Sequence, residues 1–586
     1  MASSRRAYPA NHDIAEILRQ IGEYLAMQQV PFKPRAYEKA AMTVEGLEES
    51  MAERFAAGGK KALMEIPGIG QGIAEKIAEF LDTGKVKEYE QLKKATPVRL
   101  DELARVEGMG PKSVQRLYKE LGIRNLKELE KAAKEGKIAT LPGFGKKSEE
   151  KILKGIEFAK GSGQRFVLGS LMTRIREIEA ALSSVPGAEK VVVAGSARRR
   201  KETVGDIDIL AASSNPKAIM EKFVSMPGVM SVIAHGETKS SIKIRPGINV
   251  DLRVVPKESY GAALNYFTGS KDHNVAIRQL AIKKGFTLNE YGLFRIKDGV
   301  KGKSVAGADE KEIYKILGMD WPEPELRENT GEVQAALAHK LPKIIGYSDL
   351  VGDLQVQTNW TDGADSIEAM ARAAMARGLK YIAITDHTKR LAMTHGLDEV
   401  RIKEQWKEID AVNRKLGGKI KILKGTECDI LKDGSLDLPD EILAKLDVVG
   451  VSVHSFFNLS KKEQTERVLR AIANPHVDIL FHPTDRIINR RPPIEVDMDA
   501  VIAAAKKNGT VLEIDALPDR ADLKDEYIRK CVEAGVRLSI DSDAHATAHY
   551  AYLEYGISQA RRGWACRSDV VNAWPLGAML KKLKGH

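Results

Sequence analysis

A multidomain chain that joins α+β and α/β units is the fold class this sequence predicts, and three patterns predict it. Helix-like segments joined by short Gly-x-Gly turns fill the first 160 residues, and five β-rich segments follow between residues 190 and 255. Beyond about residue 350, short apolar runs alternate with helical segments in the β-then-α rhythm of an α/β barrel. A length of 586 residues suits about four domains. A hydrophobic fraction of 43% with 30% charged residues excludes a disordered chain. No apolar run approaches the ~20 residues that span a bilayer, so no membrane role is expected. Met1 to Gln20 lacks the apolar stretch of a secretory signal. Cys428, Cys531 and Cys566 are too few and too scattered for a disulfide framework or a Cys-rich zinc site, so a reducing, cytoplasmic compartment is expected. The 92 basic residues against 81 acidic, formally +11, permit a polyanionic partner without demanding one.

In the N-terminal region, Ile66-Pro67-Gly68-Ile69-Gly70, Val106-Glu107-Gly108-Met109-Gly110-Pro111-Lys112 and Leu141-Pro142-Gly143-Phe144-Gly145-Lys146-Lys147 each lie between helix-like stretches. Ile73–Leu81 and Ser113–Leu121 carry apolar residues at helical spacing. Gly-x-Gly permits a tight turn and lets backbone N–H groups approach a phosphate. One such hairpin is equally well read as a plain helix turn. Three in one region, two of them followed by lysine, favour nucleic-acid backbone contacts at Gly68, Gly70, Gly108, Gly110, Gly143 and Gly145. None has a dinucleotide-fold or P-loop spacing.

A helix-like stretch to Leu182 then leads into the strands Lys190–Ala194, Ile207–Ala211, Met230–Ala234, Ser241–Ile244 and Ile248–Val255, with a small helical domain expected after about Ala262. The sharpest motif is Gly195-Ser196-Ala197-Arg198-Arg199, followed by Asp206-Ile207-Asp208-Ile209. In a strand Asp206 and Asp208 share one face. Two carboxylates on one face repel each other unless a cation sits between them, and Mg²⁺ with substrate phosphates is the natural occupant. Asp251 and Arg253 share a face of their own strand. The bland alternative, a half-exposed strand with acidic residues on its wet side, does not account for the Gly-Ser-Arg-Arg lead-in or the third Asp. Asp320 to Tyr347, with Pro322, Pro324 and Pro342 among many charges, reads as a linker.

The barrel half shows apolar runs at Tyr381–Ile384, Ile420–Leu423, Val448–Val453, Val477–Phe481, Val511–Ile514 and Val536–Ile540, and a closed α/β barrel is expected. Polar residues follow or end these runs: Asp386-His387, Glu427, His454, His482 and Asp543-Ala544-His545. Such positions face the C-terminal mouth of a barrel, and His with Asp and Glu converging there suits Zn²⁺ or Mn²⁺. Asp433-Gly434-Ser435-Leu436-Asp437 lacks the rest of a calcium loop and reads as a surface turn.

Residues 8–320 resemble the nucleotidyltransferase superfamily, and specifically the family X DNA polymerases. The resemblance extends from the Gly195–Asp208 motif to Tyr266-Phe267-Thr268-Gly269-Ser270, Asn274, Arg278 and Gly285–Tyr291, and upstream to Ala36–Ala41 and Pro67–Ile77. It implies a lyase-like helix-hairpin-helix domain at 1–85, fingers at 86–162, a nucleotidyltransferase palm at 163–258, a helical or mixed thumb at 259–320, a linker at 321–346 and a barrel at 347–586. It implies that Asp206, Asp208 and Asp251 hold Mg²⁺ or Mn²⁺, with Asp251 as proton acceptor. Gly195, Ser196, Arg199 and Arg165 would clamp the triphosphate of a dNTP. Tyr266, Phe267 and Gly269 would lie along the sugar, and Asn274 would meet the base edge. Arg253 and Arg278 would contact DNA. Lys76 aligns with the lysine that attacks a 5′-deoxyribose phosphate; taken alone it is an ordinary helix-surface lysine, and Gly72 stands where a supporting basic residue belongs.

The second half resembles the PHP phosphoesterase domain, a three-metal unit associated with 3′–5′ exonuclease and abasic-site cleavage. The family's Gly-Asp-Leu-His-x-His-Thr motif reads here Gly352-Asp353-Leu354-Gln355-Val356-Gln357-Thr358. Two imidazoles are thus replaced by neutral amides. Asp362, His387, Glu427, His454, His482, Asp543 and His545 remain as ligands, and Asp515 stands where Asn is usual. A weakened metal site and weak hydrolysis are expected. The resulting expectation is a template-directed polymerase filling short gaps in base-excision repair, acting on gapped or primer-template DNA with dNTPs. It would be cytoplasmic, nucleoid-associated and monomeric. The rivals are a template-independent nucleotidyltransferase and a DNA-repair scaffold with a degenerate barrel.

Overall fold

The computed structural model describes residues 11–47, 49–104, 106, 109–161, 165–297 and 300–584, so Gly108 lies outside the described residues. Nine helices, from Asn11–Met27 to Lys146–Gly161, share one apolar core running from Ile14 to Ile156 among the described residues. Helix Gln71–Thr83 shows why: Ile73, Ile77, Phe80 and Leu81 recur at helical spacing and are buried together. Helix Met51–Met64 is capped by Ser50, whose hydroxyl accepts from the Glu53 N–H. The described hairpins all join helices. Gly68 and Gly143 turn with φ of +84° and +80°, which L side chains rarely adopt.

Helix Leu168–Ser183 packs on a five-stranded sheet ordered Ala188–Val193, Asp206–Ser213, Ile248–Val255, Lys239–Ile244, Val229–His235. The two central strands are parallel and the other pairs antiparallel. Alternation explains the layering: Ile207, Val250 and Leu252 point into the core while the acidic residues between them stay on the open face.

The region after Ala262 is the mixed alternative of the expected helical or mixed thumb. Helices Tyr260–Thr268 and Lys271–Lys283 are followed by an antiparallel sheet of Phe286–Asn289, Gly292–Lys297 and Val300–Ala306. These strands are short and carry charged residues between their apolar ones. The apolar Phe286, Leu288 and Leu293 are recognisable only by their burial against Ile277 and Ile313. The segment 321–346 also corrects the reading as a linker. It holds helix Glu332–Leu337, and Arg327 and Glu332 are fully buried. Its charges are partners rather than solvated groups: Arg327 bonds Glu310 at 2.7 Å and Glu325 bonds Arg561 at 2.7 Å.

The C-terminal half is a seven-stranded parallel sheet in sequence order: Gly352–Val356, Tyr381–Ile384, Lys421–Asp429, Val448–Ser452, Ile479–Leu480, Val511–Asp515, Leu538–Asp541. The first and last strands meet through a single bridge, Val356 to Ala544, so the barrel is nearly closed where a closed one was expected. The strands are almost wholly buried, which explains their continuous apolar runs. No helix among the described residues is long and apolar enough to cross a membrane.

Candidate active site and metal centre

In the five-stranded sheet Asp208 lies directly across from Asp251, and Asp206 across from Asn249. Burial first, then the neighbouring Asp206 and Asp251, push the Asp208 carboxyl up to about 6. Gly195, with φ +60°, seats that carboxylate, because a Cβ there would overlap Asp208 Oδ2. Lys239 Nζ lies 3.3 Å from Asp251 Oδ2. Three carboxylates crowded on one open face suit divalent cations in charge and donor type.

Most of the other candidates make contacts within the same and the following domain. Arg253 lies over the Phe267 ring at 4.9 Å, and Tyr266 meets Phe267 edge-on at 5.1 Å. Arg199 donates to the Thr268 carbonyl at 2.7 Å and to Glu328 Oε1 at 2.9 Å. Asn274 Nδ2 donates to the carbonyls of Tyr266 and Gly269 at 2.7 and 3.2 Å, so its amide braces the aromatic segment. Ser196 is half-buried in the short helix Gly195–Arg198. Arg165 holds Thr203 through its side-chain oxygen at 3.1 Å and its carbonyl at 2.7 Å. Arg278 is exposed, with Nε on the Asn274 carbonyl at 3.2 Å. Lys76 is remote in sequence and ion-paired: Nζ is 3.1 Å from Glu88 Oε2, which also accepts from Tyr37 at 3.4 Å.

At the barrel mouth Glu427 is the hub. His482 Nε2 and His454 Nε2 lie 2.8 and 3.1 Å from Glu427 Oε1, and His387 Nδ1 lies 3.3 Å from Oε2. His387 Nε2 and His545 Nε2 reach Asp362 at 3.6 and 3.7 Å, and Asp543 Oδ1 lies 3.8 Å from His545 Nδ1. Among the described residues, two sets of three donors converge within 4.8 Å: Asp362, His387 and His545, and His387, Glu427 and His454. They share His387. Buried Asp362 Oδ1, Asp543 Oδ1 and His482 Nδ1 have no hydrogen-bond partner, as expected of atoms aimed at a cation. These residues fit metal ions.

The first strand does not complete the cluster. Gln357 Nε2 donates to Glu427 Oε2 at 2.8 Å, the oxygen that His387 Nδ1 also faces, and its buried Oε1 has no hydrogen-bond partner. Gln355, its amide oriented to satisfy the network, donates to both Glu513 oxygens at 2.5 and 3.2 Å. Asp515 is buried beside Arg520, whose Nε lies 3.5 Å away and whose Nη1 bonds Asp485 at 2.7 Å. Sequence reasoning missed Asp429, which bonds His454 Nδ1 at 3.2 Å. It sits two positions past Glu427 on the same strand, and strand alternation was the signal that marked it. It also missed Arg520, and Glu513 and Glu328, which lie far in sequence from Gln355 and from Arg199 and Arg562.

A cavity of about 2830 Å³ opens between the N-terminal helices, the five-stranded domain and the barrel mouth, reaching Asp362, Asp543 and His545. Arg35, Lys39, Arg165, Arg200 and Arg490 line it.

Residues 9–86 match the helix-hairpin-helix domain family, and 100–157 the SAM-like helix-hairpin-helix tandem. Residues 263–328 match the DNA polymerase beta thumb and 353–515 the PHP domain. Over 564 residues, covering 96% of this chain and 97% of the relative, the sequence is 39% identical to the DNA polymerase/3'-5' exonuclease PolX of Bacillus subtilis. It is 26% identical over 351 residues to rat DNA polymerase lambda, covering 56% of this chain and 58% of that protein. A probable phosphatase of Acetivibrio thermocellus is 32% identical over 191 residues, 31% of this chain and 73% of the relative. With helix-hairpin-helix domains, a polymerase β-type thumb, a PHP barrel and this end-to-end similarity, the chain belongs to the PolX-type family X DNA polymerases.

Proposed function

We propose that the protein is a template-directed DNA polymerase that fills short gaps during base-excision repair, and that its PHP barrel has little 3′–5′ exonuclease activity. The pairing of Asp208 with Asp251 across parallel strands, with Gly195 seating the Asp208 carboxylate, carries the polymerase reading. Asp206, Asp208 and Asp251 would hold Mg²⁺ or Mn²⁺. Such ions, when bound, neutralise phosphate charge and acidify the attacking hydroxyl. Asp251, midway along the central strand Ile248–Val255, would take the proton of the primer 3′-hydroxyl. Arg199, Arg165 and Ser196 would bind the triphosphate of the dNTP, since guanidinium forks match phosphate oxygens. Tyr266, Phe267 and Gly269 would bound the sugar and Asn274 the base edge.

Open space above Gly70, Gly110 and Gly145, where a Cβ would meet nothing within 4 Å, supports backbone contacts to DNA phosphates at the hairpins. Arg253, on strand Ile248–Val255, and Arg278, on helix Lys271–Lys283, would contact DNA away from the hairpins. In the barrel, Asp362, His387, Glu427, His454, His482, Asp543 and His545 would hold Zn²⁺ or Mn²⁺. The glutamine contacts to Glu427 and Glu513 support the loss of one ion position. The unpaired thiols of Cys428, Cys531 and Cys566 support a cytoplasmic site of action, where the protein would work as a monomer on the nucleoid.

One labelled, gapped duplex tests both halves. Asp251→Ala should lower nucleotide addition by at least about a thousandfold with DNA affinity near normal. Near-normal extension by that variant sinks the palm assignment. Robust 3′-end degradation by the unaltered protein, lost in His545→Ala but not in Asp251→Ala, overturns the barrel reading.

A further inference from the structure

We infer that the barrel is a working part of the polymerase site: Arg562, at the end of barrel helix Leu553–Arg562, positions Arg199 through Glu328. A chain of ion pairs carries this, and it crosses from the outside of the barrel to the loop that leads into Asp206. Arg562 Nη2 lies 2.5 Å from Asp525 Oδ2 at the start of helix Asp525–Ala534. Its Nη1 donates to Glu328 Oε1 at 3.0 Å and to the Arg199 carbonyl at 2.9 Å. The same Glu328 oxygen accepts from Arg199 Nε at 2.9 Å, and Lys201 Nζ lies 3.8 Å from it. Little water reaches the chain: Arg562 and Arg199 side chains are 4% and 11% exposed. A second barrel arginine grips the same loop, with Arg486 Nη2 2.7 Å from Glu202 Oε2. The barrel therefore holds both ends of the stretch from Arg199 to Glu202.

Charge explains what this does. Glu328 would neutralise Arg199 if it faced that guanidinium alone. Burial favours the neutral form of Glu328, but Arg562 and Arg199 outweigh it and hold the carboxyl below its usual range. With Arg562 sharing Glu328, three cations face two carboxylates, and a net positive charge stays available to an incoming triphosphate. The bond to the Arg199 carbonyl fixes the backbone that aims the guanidinium. Arg562 is thus a positioning residue, and the inference rests on the reading of Arg199 as a triphosphate ligand. It also gives the barrel a use that Gln355 and Gln357 leave intact, because Arg562 and Asp525 lie on outer helices and not on the strand ends that carry the histidines.

Single-nucleotide gap filling by the full-length protein, with dNTP varied, tests it on Arg199→Ala, Arg562→Ala, Arg562→Lys and Asp525→Asn. Losing one charge-assisted bond predicts that Arg562→Ala raises the dNTP KM about tenfold with kcat within about threefold of the parent. Arg562→Lys should recover part of the loss, and Asp525→Asn should raise KM by about twofold to threefold. The metal content of the barrel should not change. A merely structural role would lower kcat and melting temperature together without this split. A normal KM for a folded Arg562→Ala, with a raised one for Arg199→Ala, overturns the inference alone. A normal KM for Arg199→Ala overturns the triphosphate reading and the inference with it. Where Arg562→Ala does not fold, a normal KM in Asp525→Asn is the overturning result.

Discussion

Asp208 carries a cost that a cation removes. Burial and the adjacent Asp206 and Asp251 raise its carboxyl from 3.8 to about 6, so the folded protein resists ionising it. A raised folded-state value in an acid means a penalty that is absent below about pH 4 and grows as the pH rises through 6. Asp208→Asn should therefore raise the melting temperature of the metal-free protein by a few degrees at about pH 7.5, by nothing near pH 4, and still abolish nucleotide addition. Mg²⁺ should stabilise the parent and not the variant. Differential scanning calorimetry checks both, and an unchanged transition at neutral pH removes the crowding argument. Lys76 is a residue of the opposite kind, already satisfied. Its pairing with Glu88 occupies the ammonium that a lyase must free as an amine. The expected outcome of borohydride reduction on a 5′-deoxyribose phosphate substrate is therefore no covalent adduct. An adduct that Lys76→Ala abolishes would establish the lyase role instead.

Among the elements, the first barrel strand and the turn after it decide what the barrel can do. Gly352–Val356 is fully buried and runs beside Tyr381–Ile384, which brings Gln355 and Gln357 to the floor of the mouth against Glu513 and Glu427. The Gln357 amide N–H satisfies Glu427, and neither position carries an imidazole. Gln355→His with Gln357→His should raise bound Zn²⁺ or Mn²⁺ by about one ion per chain, and raise 3′–5′ degradation with it. Polymerisation should be unaltered. Elemental analysis of the purified variant reads the first outcome directly. Unchanged metal content would show that the glutamines are not what limits the site.

Over the whole molecule, the segment between thumb and barrel acts as packing rather than tether. Arg327 is buried against Glu310 and the Pro322 carbonyl, Glu325 against Arg561, and Glu332 against His273. A polar group buried with its partner is expensive to expose, so local opening there should be rare. Limited trypsin digestion of the native protein should leave the bond after Arg327 intact while exposed lysines outside the segment, such as Lys461 and Lys462, are cut first. Mass spectrometry of the first fragments decides it, and early cleavage at Arg327 would return the segment to a linker. Arg176 with Glu554, and Arg486 with Glu202, tie the same two halves at 2.6 and 2.7 Å.

Local periodicity and chemistry were enough to read much of this protein from its sequence. Asp206, Asp208 and Asp251 announce themselves by strand alternation, the described hairpins by paired glycines, and the barrel ligands by their place after apolar runs, because each of these signals spans only a few neighbouring residues. The exchange of imidazoles at Gln355 and Gln357 was legible only against the motif of the family the chain resembles, because nothing local marks a glutamine as a replaced ligand. The thumb sheet was not, since its short, charged strands are distinguished from loops only by what they bury. Nor was the role of 321–346, whose prolines and charges have the composition of a linker. Whether Glu325, Arg327 and Glu328 are solvated or paired depends on Arg561, Glu310, Arg199 and Arg562, two of which lie more than two hundred positions away. Charge–charge contacts between distant segments leave no periodic trace in either segment. Only folding, by bringing them within hydrogen-bond distance and excluding water, decides that the barrel and the loop leading into Asp206 share one network.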